Sequence, residues 1–139
     1  MHTKGFTLIE VLITIAIVGI LTAISLPAYR DYITRGKIPE ATAALAAKQI
    51  QLEQFFQDSR TYVSATGCTS DTTTSQFFDF SCTGQSTTSF LLSAIGKGTM
   101  AGFTYTLNER NLKTTSEVPS GWSKPDPNTC WVTKKGGAC

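Results

Sequence analysis

The stretch FTLIEVLITIAIVGILTAISL, Phe6 to Leu26, is apolar almost throughout and carries one acid, Glu10. Its 21 residues, at about 1.5 Å each, make a helix of roughly 30 Å, the thickness of a bilayer's hydrocarbon core. Lys4 precedes it and no further charge follows until Arg30. The positive-inside tendency places the short N-terminus in the cytoplasm and sends the bulk of the chain across the membrane. A secretory signal would end in small residues of the A-x-A kind. Here the run passes into LPAYRDYI instead, so the helix is expected to be retained and any processing to fall before it.

Glu10 sets the problem. An acid at the bilayer centre costs roughly 2.5–3.5 kcal/mol on insertion scales and is by default a functional candidate. One reading leaves Glu10 at the headgroup interface, one turn into the helix. The sharper reading supplies a cation. Cleavage after Gly5 would give Phe6 a free α-ammonium, and the Glu10 of a neighbouring copy would neutralise it. Taking away one member of such a pair leaves the other buried and uncompensated. Glu10 then serves as a register pin between subunits.

The sequence K-G-F-T-L-I-E followed by an apolar helix resembles the class III signal of type IV pilins and their pseudopilin relatives. The resemblance covers Lys4 to about Tyr32. It implies a leader of residues 1–5, cleavage after Gly5 by a prepilin peptidase, N-methylation of Phe6, and an intersubunit role for Glu10. It further implies other pilin subunits as partners in a homo- or heteropolymeric filament. The protein would sit as a single-pass chain in the inner membrane before assembly and in an extracellular pilus afterwards. Cytoplasmic ATPases of the pilus assembly machinery would drive the transfer, since the chain has no nucleotide motif of its own.

Gly19 and Pro27 weaken helical order in the first half. Proline lacks the backbone donor and crowds the preceding turn, at about 3 kcal/mol in an ordinary helix interior. A kink at the membrane exit is expected at Pro27. By resemblance, family filaments lose helical order between these two positions on assembly. Tyr29 and Tyr32 suit an interface. From Ile38 the pattern becomes amphipathic: Ile38, Ala41, Leu45, Lys48, Leu52 and Phe55 recur at spacings of three and four, with one lysine in the stripe. Pro39 is compatible with a restart of the helix or a second kink. One helix from Phe6 to about Gln57 is expected. Residues 6–29 would form the transmembrane and filament-core part, and 30–139 a periplasmic or extracellular head.

Residues 60–88 are rich in Ser, Thr, Gly and Asp and read as an irregular loop anchored by the apolar FFDF. Strand signals follow in SFLLSAIGK, GFTYTLNE, NLKTTSEV and TCWVTKK, with alternation at Phe103, Tyr105 and Leu107. An α+β fold is expected, the long helix packed on an antiparallel sheet of three to four strands, so that each apolar face covers the other. That is also the plan of the type IV pilin fold.

The cysteines are Cys68, Cys82, Cys130 and Cys139, all in the second half and none in a C-x-x-C pair. An even count beyond a membrane-type segment points to disulfides in an oxidising compartment. Proximity in sequence pairs Cys68 with Cys82 and Cys130 with Cys139, one of three possible connectivities. The first bridge would restrain the 60–88 loop by roughly 3 kcal/mol in the chain-entropy model. The second encloses WVTKKGGA in a loop at 130–139 that resembles the disulfide-bounded region of pilins. The ending GW…CWVTKKGGAC looks like that of PilE-type minor pilins.

No catalytic site is legible. The single histidine, His2, falls in the leader, and oxidised cysteines leave no nucleophile with a base. Asp71, Asp79, Glu109 and Asp126 are scattered, without the spacing of a calcium loop, and GKGTMAG lacks the phosphate-cradling pattern. No cofactor or metal is expected. Net charge is +2, which demands no polyanionic partner. Beyond Gln57 seven bases face six acids, so a basic patch requires the charges to segregate by face. Lys134 and Lys135, with Trp131 nearby, are the candidates for a DNA contact through phosphates and base stacking. The leading expectation is a structural subunit of a type IV pilus, of the minor kind, supporting adhesion, twitching motility or DNA uptake. The alternatives are a DNA-binding competence pilin, or a pseudopilin of type II secretion, the last weakened by the cysteines.

Overall fold

The computed structural model describes residues 5–139; Met1 to Lys4, and with them most of the expected leader, lie outside the described residues. The chain divides into two compact units, residues 1–33 and 34–139. Helix α1 spans Leu8–Ser59, close to the expected limits. It is unbroken through Gly19, Pro27 and Pro39.

In the first unit the side chains from Gly5 to Arg30 are all exposed. The hydroxyls within it turn back on the helix: Thr14 Oγ1 donates to the Glu10 carbonyl at 2.7 Å and Thr22 Oγ1 to the Val18 carbonyl at 2.7 Å. Such bonds satisfy a hydroxyl without water, which is what an apolar surrounding requires.

The second unit is a sheet with the later turns of α1 laid across it. Strands β1 (Phe78–Thr83), β2 (Leu91–Gly96), β3 (Thr104–Asn108) and β4 (Lys113–Glu117) pair antiparallel in sequence order. Ile38, Ala41, Leu45 and Leu52 of α1 are buried, as are Phe78, Phe80, Leu92, Ala94, Tyr105 and Leu107 of the sheet. The period of the helix and that of the strands thus meet in one core. Lys48 interrupts the helix stripe at little cost, because it is only half-buried and its ammonium donates to the Thr69 carbonyl at 3.2 Å.

Two expectations fail here. FDF belongs to a strand and not to a loop: Phe77 precedes β1, Phe78 and Phe80 alternate with Asp79 and Ser81, and β1 pairs along its whole length with β2. The surrounding 60–88 segment also forms a short 3-10 turn at Thr66–Cys68. Gly67 there is buried against α1, where a Cβ would lie 3.1 Å from Gln51 Cβ and 3.2 Å from the Lys48 carbonyl oxygen. Conversely, TCWVTKK joins no strand. Its residues bond to the sheet through side chains instead of a ladder.

Each edge strand of the sheet is met by a loop residue at one position. At β1, Asp71 and Phe80 exchange backbone bonds at 2.8 and 2.9 Å, and Cys68 is bonded to Cys82 next to this bridge. At β4, the Asn128 side chain accepts from the Thr115 N–H and donates to the Thr115 carbonyl, both at 2.9 Å, as a neighbouring strand would. Thr115 Oγ1 donates to the Cys130 carbonyl and accepts the Val132 N–H, each at 2.9 Å. These contacts occupy one position on each edge strand, which makes the edges poorer templates for pairing with other chains.

Thr115 is fully buried. Thr115→Val keeps its volume and leaves the Val132 N–H and Cys130 carbonyl unpaired, which should cost about 1–3 kcal/mol. Denaturant unfolding of the two proteins checks this, with Thr115→Ser expected to lie much nearer the parent.

Candidate functional site

The N-terminal candidate residues form a small, self-contained arrangement. Gly5, Phe6 and Thr7 are non-helical and α1 begins at Leu8. Thr7 is the N-cap: its carbonyl accepts the Val11 N–H at 3.3 Å, and its Oγ1 accepts the Glu10 N–H at 3.3 Å. Glu10 reaches back, its Oε2 accepting the Thr7 N–H at 3.5 Å. This is the reciprocal capping box, in which two otherwise orphaned donors are satisfied by each other's side chains. A negative charge in the first turn also faces the positive end of the helix dipole. Sequence reasoning misses Thr7 although T-L-I-E has the spacing of the motif. The apolar run hides it, because lipid solubility dominates the reading of every residue there and capping does not enter.

Phe6 is 85% exposed, so its ring is left open by the described residues. Gly19 and Pro27 lie farther along the same exposed half-helix. That half holds a window of mean hydropathy 2.5, of which 0% is buried, long and apolar enough to cross a membrane by length and composition.

The C-terminal candidates lie in the second unit. Cys130 is bonded to Cys139 with Cα atoms 6.1 Å apart. The loop between them folds on itself: the N–H groups of Thr133 and Lys134 donate to the Ala138 carbonyl at 2.9 and 3.1 Å, and the Gly137 N–H donates to the Lys134 carbonyl at 3.1 Å. Gly137 has φ +81°, and a Cβ there would meet the Lys124 carbonyl oxygen at 2.9 Å. The Ser123 N–H donates to the Lys135 carbonyl at 2.9 Å. Lys124, Lys134 and Lys135, all exposed, are therefore brought together on adjacent backbone segments. Asp126 lies two residues from Lys124 in the chain.

Trp131 is committed to the fold. Its indole N–H donates to the Thr106 carbonyl at 2.9 Å, and Lys113 Nζ stands over its ring at 5.0 Å. A base could stack on the face that Lys113 occupies only after Lys113 moved aside. Several acids of this unit are engaged elsewhere. Asp79 pairs with Lys97 at 2.6 Å and Glu109 with Arg110 at 3.5 Å. Asp71 accepts from the N–H groups of Thr73 and Thr74, and the Thr74 backbone donor foremost pulls its carboxyl down to about 2. Burial pushes the Tyr105 hydroxyl's pKa upward, and the hydroxyl donates to the Val132 carbonyl at 3.0 Å. Among the described residues no group of three or more His, Cys, Asp or Glu is placed to hold a metal ion.

Comparison with known proteins agrees with this arrangement. Residues 27–107 match the family described as "Type IV minor pilin ComP, DNA uptake sequence receptor", and residues 1–26 match the prokaryotic N-terminal methylation motif. The chain belongs to the type IV pilin family. Fimbrial protein EcpC of Eikenella corrodens is 47% identical over 55 residues, 40% of this chain and 36% of that protein. A fimbrial protein of Moraxella nonliquefaciens is 68% identical over 38 residues, 27% of this chain and 25% of the relative. The type IV major pilin protein PilE of Neisseria gonorrhoeae is 47% identical over 53 residues, 38% and 32% of the two chains. In each case the chain matches well under half the length of the curated relative. The family match ends at residue 107, before Lys113, Lys124, Trp131, Lys134 and Lys135.

Proposed function

We propose that this chain is a structural subunit of a type IV pilus, of the minor kind, cut after Gly5, methylated at Phe6 and anchored in the inner membrane with its N-terminus in the cytoplasm. One observation carries the reading: an apolar half-helix exposed along its described residues, headed by a carboxylate four residues beyond Phe6. A lipid bilayer covers such a surface, and so does a bundle of like helices. Moving between the two changes the hydrophobic energy little, since lipid tails are as apolar as leucine; packing and polar pairing decide. The pairing partner is the Phe6 ammonium of another subunit. It replaces Thr7 as the nearest donor to Glu10 and fixes the stagger between helices. Between Gly19 and Pro27 the helix is poor in propensity, and this segment loses order as subunits pack. Other pilins, a prepilin peptidase and the pilus assembly machinery are the partners this requires.

Mass spectrometry of sheared fibres tests it. The expected species begins at Phe6 and carries one methyl group on its amine. Polymerised protein still bearing MHTKG would contradict the proposal.

A DNA-receptor role is the second reading. The description of the matching family supports it, and so does the gathering of Lys124, Lys134 and Lys135 around the disulfide loop while Asp71, Asp79 and Glu109 are occupied elsewhere. Duplex DNA titrated against the full chain in neutral detergent at several salt concentrations should give salt-dependent binding. The double change Lys134→Ala and Lys135→Ala should flatten the log–log salt slope by about two, one for each phosphate no longer neutralised. Salt-independent binding, or none, dismisses this role and leaves the structural one standing.

A further inference from the structure

We infer that Thr7 is a positioning residue for the processing reaction: by ending the helix at itself it keeps the Gly5–Phe6 peptide bond in non-helical chain, where a peptidase can grip it. The inference rests on the proposed cleavage after Gly5. It goes beyond that by giving a residue outside the scissile pair a conformational task.

A helical peptide bond is a poor protease substrate, because its N–H and C=O are tied up along the helix axis and its backbone cannot lie extended in a cleft. In this chain the tendency of the helix to run on is strong. The apolar segment is long, and in lipid every N–H left outside the ladder is costly, so extension toward the N-terminus is favoured. Thr3 supplies a second N-capping residue type four positions upstream of Thr7. A helix started there would enclose both Gly5 and Phe6.

The observed structure avoids that outcome. Thr7 adopts the capping position, its Oγ1 and the Glu10 carboxylate satisfy each other's backbone donors, and Gly5, Phe6 and Thr7 stay outside the helix. The scissile bond lies one residue ahead of the cap, and both of its residues are exposed. Gly5 reinforces the break, since glycine is a poor helix former.

The test is the rate at which a prepilin peptidase releases residues 1–5 from the full chain in detergent micelles, read by mass spectrometry. Thr7→Ala removes the cap and adds the best helix former, and cleavage should slow by about five-fold, the population shift that loss of a typical N-cap carries. Thr7→Ser should cut like the parent. The deciding variant is Thr7→Ala with Leu8→Pro. Proline suits the first helical position and drives the residue before it out of the helical region, so it restores the helix start without restoring the hydroxyl. Recovery of the rate in this double variant is the expected result. Equal rates for Thr7→Ala and the parent overturn the inference. So does failure of the proline to rescue, which would mean that the peptidase reads the hydroxyl directly. A parent chain that is not cut at all between Gly5 and Phe6 fails at an earlier point, overturning the processing reading and this inference together.

Discussion

Every side chain from residue 5 to residue 30 is exposed, although nearly all of those up to Leu26 are apolar. Water does not tolerate such a surface: each large aliphatic side chain left in it forfeits about 1.5–3 kcal/mol relative to burial. No described residue of the first unit covers this half of α1. Lipid or sister helices are its proposed cover, and the first turn decides how a polar group survives there. Glu10 is held by Thr7, and Thr14 and Thr22 bond back to the helix. The segment therefore offers lipid or sister helices an apolar wall whose polar atoms are largely satisfied, with one carboxylate near its end able to exchange its partner.

The remainder of α1 obeys the opposite rule. Ile38, Ala41, Leu45 and Leu52 are covered by the sheet, and the charged residues on the same turns stay near water. This division is legible in the sequence because it depends on periodicity and length, which are local. The same holds for β3, where Tyr105 and Leu107 alternate with threonines, whereas β4 (KTTSE) carries no apolar residue. β1 is misread because a Ser/Thr-rich setting outweighs the two-residue alternation of Phe78 and Phe80. Those residues are drawn into the sheet by a tertiary contact, the pairing with β2, that composition does not display.

The C-terminal segment shows the reverse error. TCWVTKK has strand composition, with Trp131, Val132 and Thr133 in succession, but Asn128 has already taken the place beside Thr115 that a fifth strand would need. Side-chain mimicry of a backbone ladder leaves no periodic trace. The fate of Trp131 is equally hidden: its N–H is bonded to Thr106, 25 residues away. The lysines around the disulfide loop are visible as sequence neighbours. Lys124 joins them through the close approach at Gly137 and the bond from the Ser123 N–H to the Lys135 carbonyl. Thr7 is the one omission for which the sequence holds a sufficient signal.

In the proposed filament Glu10 tolerates apolar surroundings because another subunit's freed amine lies beside it. Incorporation of Glu10→Ala subunits into fibres, measured in competition with the unaltered protein at equal expression, tests that most directly. Removing one partner of a buried pair costs about 3–5 kcal/mol, so the altered subunit should be excluded by about a hundredfold or more. Entry of Glu10→Ala at parity with the parent would contradict the account.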